Sequence, residues 1–174
     1  MSRLLRDAAV VLGIAVVVHV AAIVAVPRVV MHVVISRAAQ AGGANGPVHA
    51  HRPTAADRGI PLPSPDLLYS ICALDVAKGP VSIGVTPGST YLSLSVFDER
   101  SDNVFVTSDR DAGGKPIKLL IVGDRAGIAA PADTTVVVLP GGKGVLLLRG
   151  LAATPEMAAE SDRARRTLAC ATVK

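Results

Sequence analysis

The sequence has very few aromatic residues, with no tryptophan, two tyrosines and two phenylalanines among 174 residues. Proteins that bind nucleic acids need a basic surface, and those that bind single strands also need aromatic side chains on which bases stack. The net charge of +4 comes entirely from the first sixty residues, and from residue 61 onward twelve Lys and Arg balance twelve Asp and Glu. The composition therefore argues against nucleic-acid binding.

Histidine is absent from the C-terminal two thirds of the chain, since the four histidines are His19, His32, His49 and His51. A serine triad therefore cannot form there, and no GxSxG or SxxK motif occurs. The Gly141–Gly144 stretch, with Lys143, lacks the Ser or Thr of a phosphate loop and is predicted to be a hairpin turn. We expect no catalytic residues and no cofactor, and the sequence favours a non-enzymatic protein but leaves the question open.

Two groups of residues contain some, but not all, of the side chains that a metal site needs. Asp109, Asp111 and the glycines after them resemble a calcium loop, but Leu120 stands where the closing bidentate Glu is needed. His49 and His51 provide only two ligands, in a segment that is predicted to be flexible. No metal site is predicted, and the loop acids are expected to be solvated: Asp98, Glu99, Asp102, Asp109 and Asp111.

The residues from Ala8 to Val26 are apolar except for His19, and at 1.5 Å per residue they are long enough to cross a hydrocarbon core. A cleaved signal peptide is the alternative, with Ala39-Gln40-Ala41 as a cleavage site, but its apolar region is usually shorter and closer to that site. Residues 1–35 are therefore predicted to be an uncleaved transmembrane anchor. A neutral His19 is expected rather than a proton relay.

Residues 36–64 contain many Pro, Gly and Ala and show no apolar period, so they are predicted to form a flexible stalk. Residues 65–174 are predicted to form an all-β domain, a β-sandwich of about seven short strands. The predicted strands run from Leu67 to Leu74, Val81 to Val85, Tyr91 to Phe97, Val104 to Thr107, Ile117 to Val122, Thr134 to Leu139 and Val145 to Arg149.

Two features refine this domain. The fifth and sixth runs are continuously apolar, which predicts central strands. A C-terminal helix is expected from about Pro155 to Ala169, with Thr154 as its N-cap and Met157, Ala164 and Leu168 on its inner face.

Four segments together resemble a known bacterial family: SPDLLYSICALDVAKGP from Ser64, YLSLSVFDERSDNVFV from Tyr91, LLIVGD from Leu119 and VLLLRG from Val145. They are similar to the envelope proteins known as domain of unknown function twelve fifty-four. The resemblance implies an exported all-β sandwich, which in longer members is followed by a second β-domain. Here that domain is absent, so the resemblance implies that the companion is a separate protein.

The resemblance points to a possible motif site but to no activity. Its residues are Asp66, Tyr69, Asp75, Asp98, Asp102, Asn103 and Arg149. The competing interpretation is that these side chains satisfy turns.

The only two cysteines, Cys72 and Cys170, are predicted to form a disulfide between the first strand of the domain and the end of the C-terminal helix. Reduced cysteines packed as small apolar side chains are the alternative. The arginine count places the domain in the cytoplasm by the positive-inside rule. We give more weight to the predicted disulfide and to the resemblance to an exported family than to the arginine count. We therefore expect a single-pass inner-membrane protein with a periplasmic domain.

Two functions remain open. The first is a non-enzymatic interaction module of the envelope that pairs with a companion β-domain protein. The second is a subunit that completes a composite active site with a partner, using Asp66, Asp98, Asp102 or Arg149. The small-molecule ligand and the oligomeric state are not indicated by the sequence.

Overall fold

The computed structural model describes residues 2–54, 56–57, 63–123 and 130–173. Helix α1 spans Arg3–Gly42 and begins at Ser2, whose Oγ accepts a hydrogen bond from the Leu5 N–H. It is long and apolar enough to cross a membrane, and none of its most apolar stretch is buried. Length and composition alone would also fit a signal sequence.

Helix α1 continues past residue 35, where the stalk is predicted to begin, and ends at Gly43 with φ of 81°. Two causes explain the difference. Residues 36–41 are rich in alanine, the best helix former. In addition, Met31 and Ala38 are buried where the C-terminal third of α1 packs on the domain.

The described part of the domain contains nine strands and a second helix. Strands β1 to β5 are Pro47–His49, Leu67–Asp75, Val81–Val85, Leu92–Asp98 and Asn103–Ser108. Strands β6 to β8 are Ile117–Val122, Thr135–Val138 and Lys143–Leu151. Helix α2 is Pro155–Arg165 and strand β9 is Ala169–Thr172.

The strands form two sheets. The five-stranded sheet has the order β1-β2-β8-β4-β5, and the four-stranded sheet has the order β7-β6-β3-β9. All pairs are antiparallel except β6 with β7. Leu74, Leu94 and Leu146 of the first sheet and Ile83 and Ile121 of the second meet in one apolar core, so the β-rich architecture is confirmed.

Strands β1 and β9 were not predicted. Strand β1 lies in the predicted stalk and pairs with β2, with Pro47 opposite Cys72 and His49 opposite Ser70. Strand β9 begins at Ala169, where the predicted C-terminal helix ends, and it pairs with β3. The stalk prediction is therefore wrong for residues 36–42, which are helical, and for residues 47–49, while residues 55 and 58–62 of the stalk lie outside the described residues.

Two further predictions need correction. Strand β7 lies at an edge rather than in the centre of its sheet, because among the described strands it pairs with β6 alone. The Gly141 region is a 3₁₀ turn, Pro140–Gly142, that joins β7 of one sheet to β8 of the other, and so it is not a hairpin. Gly141 and Gly142 have φ of 73° and 76°, which side chains rarely tolerate.

Helix α2 closes one end of the sandwich. Its N-cap is Thr154, as predicted, and Ala164 is buried in the core together with Leu168, which lies beyond the helix end. The approach depends on Gly150 of β8, because a Cβ there would lie 2.9 Å from Cβ of Ser161. Because Gly150 has no side chain, the helix can pack close to β8.

Candidate functional site

A polar group lies on the outer face of the five-stranded sheet. Side chains alternate along a strand, and since Cys72, Leu74, Leu146 and Leu148 belong to the core, the odd-numbered residues of β2 and β8 point outward. Arg149 of β8 is the register partner of both Tyr69 on β2 and Ser93 on β4. We call Tyr69, Ser93, Ser95, Leu147 and Arg149 the outer-face cluster.

Arg149 is incompletely satisfied within this cluster. Its Nη2 donates to Ser95 Oγ over 3.1 Å, whereas its Nε is buried and has no hydrogen-bond partner among the described residues. Arg149 makes no ion pair within the described part of the chain. Guanidinium groups in proteins usually bind carboxylates or phosphates in pairs of hydrogen bonds. Arg149 therefore has the capacity to bind an anionic group of a partner.

Strand β5 forms the edge of the same sheet beside this cluster. With six residues it is longer than the edge strands β1, β7 and β9, and it contains neither proline nor a charged residue. Val106 at its centre is 60% exposed and lies opposite Ser95. Unprotected edges of this kind readily pair with another strand.

The acidic motif residues mostly hold turns. Asp98 is completely buried, and its carboxylate accepts hydrogen bonds from the N–H groups of Arg100 and Asp102 and from Arg100 Nε. Asp102 is exposed and lies 3.7 Å from Arg100 Nε, and Asn103 begins β5. The expectation of solvated loop acids is therefore wrong for Asp98, because its carboxylate replaces water with backbone donors.

The motif residues do not converge on one site. Asp75 accepts from the Ala77 N–H at the C-terminal end of β2, and Asp66 precedes β2 at its other end. Only Tyr69 and Arg149 come together on the outer face. In the described residues no group of three or more His, Cys, Asp or Glu side chains is arranged to hold a metal ion.

Sequence reasoning missed two polar residues that attach the predicted stalk to the domain. Asn45 is buried and donates to the Asp75 carbonyl and to Thr172 Oγ1, and its Oδ1 accepts from the Asp75 N–H. Arg165 is 5% exposed, and its Nη1 donates to the carbonyls of Ala50 and Tyr69. Positive φ at Asn45, 58°, is compatible with asparagine, but no local pattern signals such long-range contacts.

His49 is a pH-sensitive part of this attachment. Its Nδ1 lies 2.8 Å from Ser70 Oγ, and burial, followed by the charges of Arg165 and Arg166, lowers the pKa of His49 below 6.5. The unfolded chain therefore binds a proton first as the pH falls through 6.5. The resulting stability is complete above pH 6.5 and is lost as the pH falls from there to the folded-state pKa.

We expect the free energy of unfolding to decrease below pH 6.5 in the wild-type chain, and to decrease less in His49→Gln. Urea unfolding of the full chain in detergent, repeated between pH 7.5 and 5, measures this difference. His51→Gln is the control, because the His51 side chain is 75% exposed. An equal decrease in wild type and His49→Gln would contradict the assignment.

Cys72 and Cys170 lie on facing sheets, on β2 and β9, and their thiols are in contact in the core. Both are buried free cysteines, which differs from the predicted disulfide. The partner element also differs, because helix α2 ends at Arg165 and Cys170 belongs to β9. The contact with Cys72 and burial raise the pKa of the Cys170 thiol.

These features define a β-sandwich domain with a membrane-length N-terminal helix and no recognisable catalytic group in its described residues. The family described as "Protein of unknown function (DUF1254)" matches residues 44–172, and the chain belongs to this family. The match confirms the resemblance inferred from the sequence motifs. Its first residue, Ala44, lies directly after helix α1 and its C-cap Gly43.

Two solved structures are similar. The VPA0106 protein of Vibrio parahaemolyticus has a TM-score of 0.60 and 23% identity over 65% of this chain and 29% of its own. An uncharacterised protein of Burkholderia cenocepacia has a TM-score of 0.49 and 15% identity over 83% of this chain and 39% of its own. This chain thus spans less than a third of the Vibrio protein. None of the curated proteins matches it.

Proposed function

We propose that this protein is a membrane-anchored, non-enzymatic interaction module of the bacterial envelope. Helix α1 crosses the inner membrane uncleaved, and the β-sandwich lies on the periplasmic side. Support comes from the exposed apolar length of α1 and from the lack of a catalytic constellation among the described residues. The domain is held at the end of the helix by the packing of Met31 and Ala38.

The partner is a companion β-domain protein that adds a strand to the edge of β5. The single observation that carries this proposal is that Asn103–Ser108 pairs with a strand on one side only within the described residues, with Val106 60% exposed at its centre. Strand addition gives affinity through main-chain hydrogen bonds and specificity through alternate side chains. Arg149, two strands away, is available for an acidic residue of the same partner.

Val106→Lys is expected to weaken the complex about tenfold or more, because a charged side chain on an edge opposes strand addition. Ala171→Lys, on edge strand β9, is the matched control and should leave the complex intact. The measurement is the fraction of chain that migrates as a complex when native membranes are solubilised in mild detergent. Equal complex formation by both variants would exclude the β5 edge as the interface.

The composite active site is the second candidate function, and the unsatisfied Nε of Arg149 favours it. In that arrangement Arg149 would bind an anionic substrate group at the interface. Isolating and identifying the partner distinguishes the two functions. Only the composite site requires a partner that has its own histidine or metal cluster.

We also propose that Cys72 and Cys170 become a disulfide in the periplasm. Both thiols lose their protons and the pair loses two electrons to the disulfide of an oxidoreductase, which is reduced to a dithiol. The contact between the two thiols across the core supports this step. Oxidation would occur during folding, since both cysteines are buried afterwards.

A further inference from the structure

A groove lies between helix α1 and the domain, just beyond the apolar part of the helix. Its volume is about 440 Å³, and it is lined by Arg28, Val29, His32, Ile35, Ser36, Glu99 and Lys143. Glu99 comes from the β4–β5 hairpin and Lys143 begins β8. The hairpin approaches the helix at the same level, where Ser101 Oγ donates to the Pro27 carbonyl over 3.5 Å.

The groove lies at the depth of phospholipid headgroups if α1 crosses a membrane. The uninterrupted apolar run ends at Val26, although Val29, Val30 and Val33 beyond it are also exposed. A rise of 1.5 Å per residue places Arg28 about 3 Å beyond Val26, within the polar layer, and His32 about 9 Å beyond it, just outside that layer. The polar layer on each side of a bilayer is about 5–8 Å thick. Arg28 also folds back toward this boundary, because its Nη1 donates to the Val24 carbonyl over 2.6 Å.

The charges in the groove are complementary to a zwitterion. Arg28 and Lys143 provide two cations and Glu99 one carboxylate, and none of the three forms an ion pair in the described part of the chain. Val29 and Ile35 add apolar surface beside them. A phosphate suits the cations, whereas an ammonium suits the carboxylate.

We propose that this groove binds one phosphatidylethanolamine molecule, with its phosphate on Arg28 and Lys143 and its primary ammonium on Glu99. The proposal rests on the proposed membrane span of α1. An anionic headgroup without an ammonium places no positive charge against Glu99 and fits less well. The bound lipid would fill the space between the helix and the hairpin and fix the domain against the bilayer surface.

Native mass spectrometry of the full chain in detergent, with added phosphatidylethanolamine or phosphatidylglycerol, tests the proposal. We expect one phosphatidylethanolamine to be retained, and about tenfold less retention in the double variant Arg28→Gln/Lys143→Gln. Glu99→Gln should remove the preference over phosphatidylglycerol. Lys118→Gln is the control, because Lys118 is exposed on the other sheet and should retain the lipid normally.

Unchanged retention in the double variant, or equal retention of both lipids by wild type, would overturn the proposal. Alkaline extraction of membranes shows whether the headgroup site alone is wrong or whether α1 does not span the membrane. A chain that stays in the membrane pellet without retaining phosphatidylethanolamine contradicts the headgroup site alone. A chain released into the supernatant contradicts the membrane span itself.

Discussion

If the proposed disulfide between Cys72 and Cys170 forms, reduction of the full chain isolated from native membranes should lower its melting temperature by roughly 15 °C. A disulfide between Cys72 and Cys170 closes a loop of about 100 residues, for which chain entropy gives about 4.7 kcal/mol. It would also join the two sheets directly, since Cys72 lies on β2 and Cys170 on β9. Thermal melts in detergent, with and without a phosphine reductant, measure the shift.

The double variant Cys72→Ala/Cys170→Ala is the control for this experiment and should be insensitive to the reductant. Mass spectrometry of the alkylated, unreduced protein gives an independent result. Two alkylated thiols in protein taken from native membranes would mean that the contact in the core remains unoxidised. They would also remove one of the reasons for a periplasmic domain.

Arg165→Met should destabilise the domain by about 3 kcal/mol. The guanidinium is buried, and its Nη1 satisfies the carbonyls of Ala50 and Tyr69 over 2.7 and 2.9 Å. Methionine fills similar volume but leaves the Ala50 carbonyl without its Arg165 donor, while the Tyr69 carbonyl keeps the hydrogen bond from the Ala50 N–H. Asp162 would retain an ion pair with Arg166, so the loss is concentrated on the backbone groups that Arg165 contacts.

Arg163→Met is the matched control on the same helix, because its side chain is 72% exposed and pairs with Glu160 at the surface. Exposed pairs of this kind contribute about 0–1 kcal/mol. Urea unfolding of both variants in detergent gives the comparison. If Arg165→Met lies within about 1 kcal/mol of Arg163→Met, the attachment of the β1 segment does not depend on Arg165.

The strands whose bounds can be predicted from the sequence are short apolar runs with turn residues on both sides. Val81–Val85 and Ile117–Val122 have the bounds that were predicted, because apolar runs between turn residues depend only on neighbouring positions. Strand β1, Pro47–His49, forms only by pairing with β2 and by the long-range contacts of Asn45 and Arg165. Such contacts leave no local signal.

The candidate site was predictable to a smaller degree. The motif included Tyr69 and Arg149, which pair across β2 and β8, but it also included Asp75 and Asp98, which hold turns at other places. The proposed role of β5 in partner binding follows from the strand order, which places β5 at an edge of its sheet. Strand order depends on the whole topology, and a period of two does not distinguish an edge from a centre.

A photo-crosslinking residue placed at Val106 tests the central claim most directly, with the same residue at Ala171 on edge strand β9 as the comparison. Illumination of native membranes should give one discrete adduct at Val106, with a β-rich envelope protein identified by mass spectrometry, and none at Ala171. No adduct at Val106, or the same adduct at both positions, would contradict a partner that adds its strand to β5.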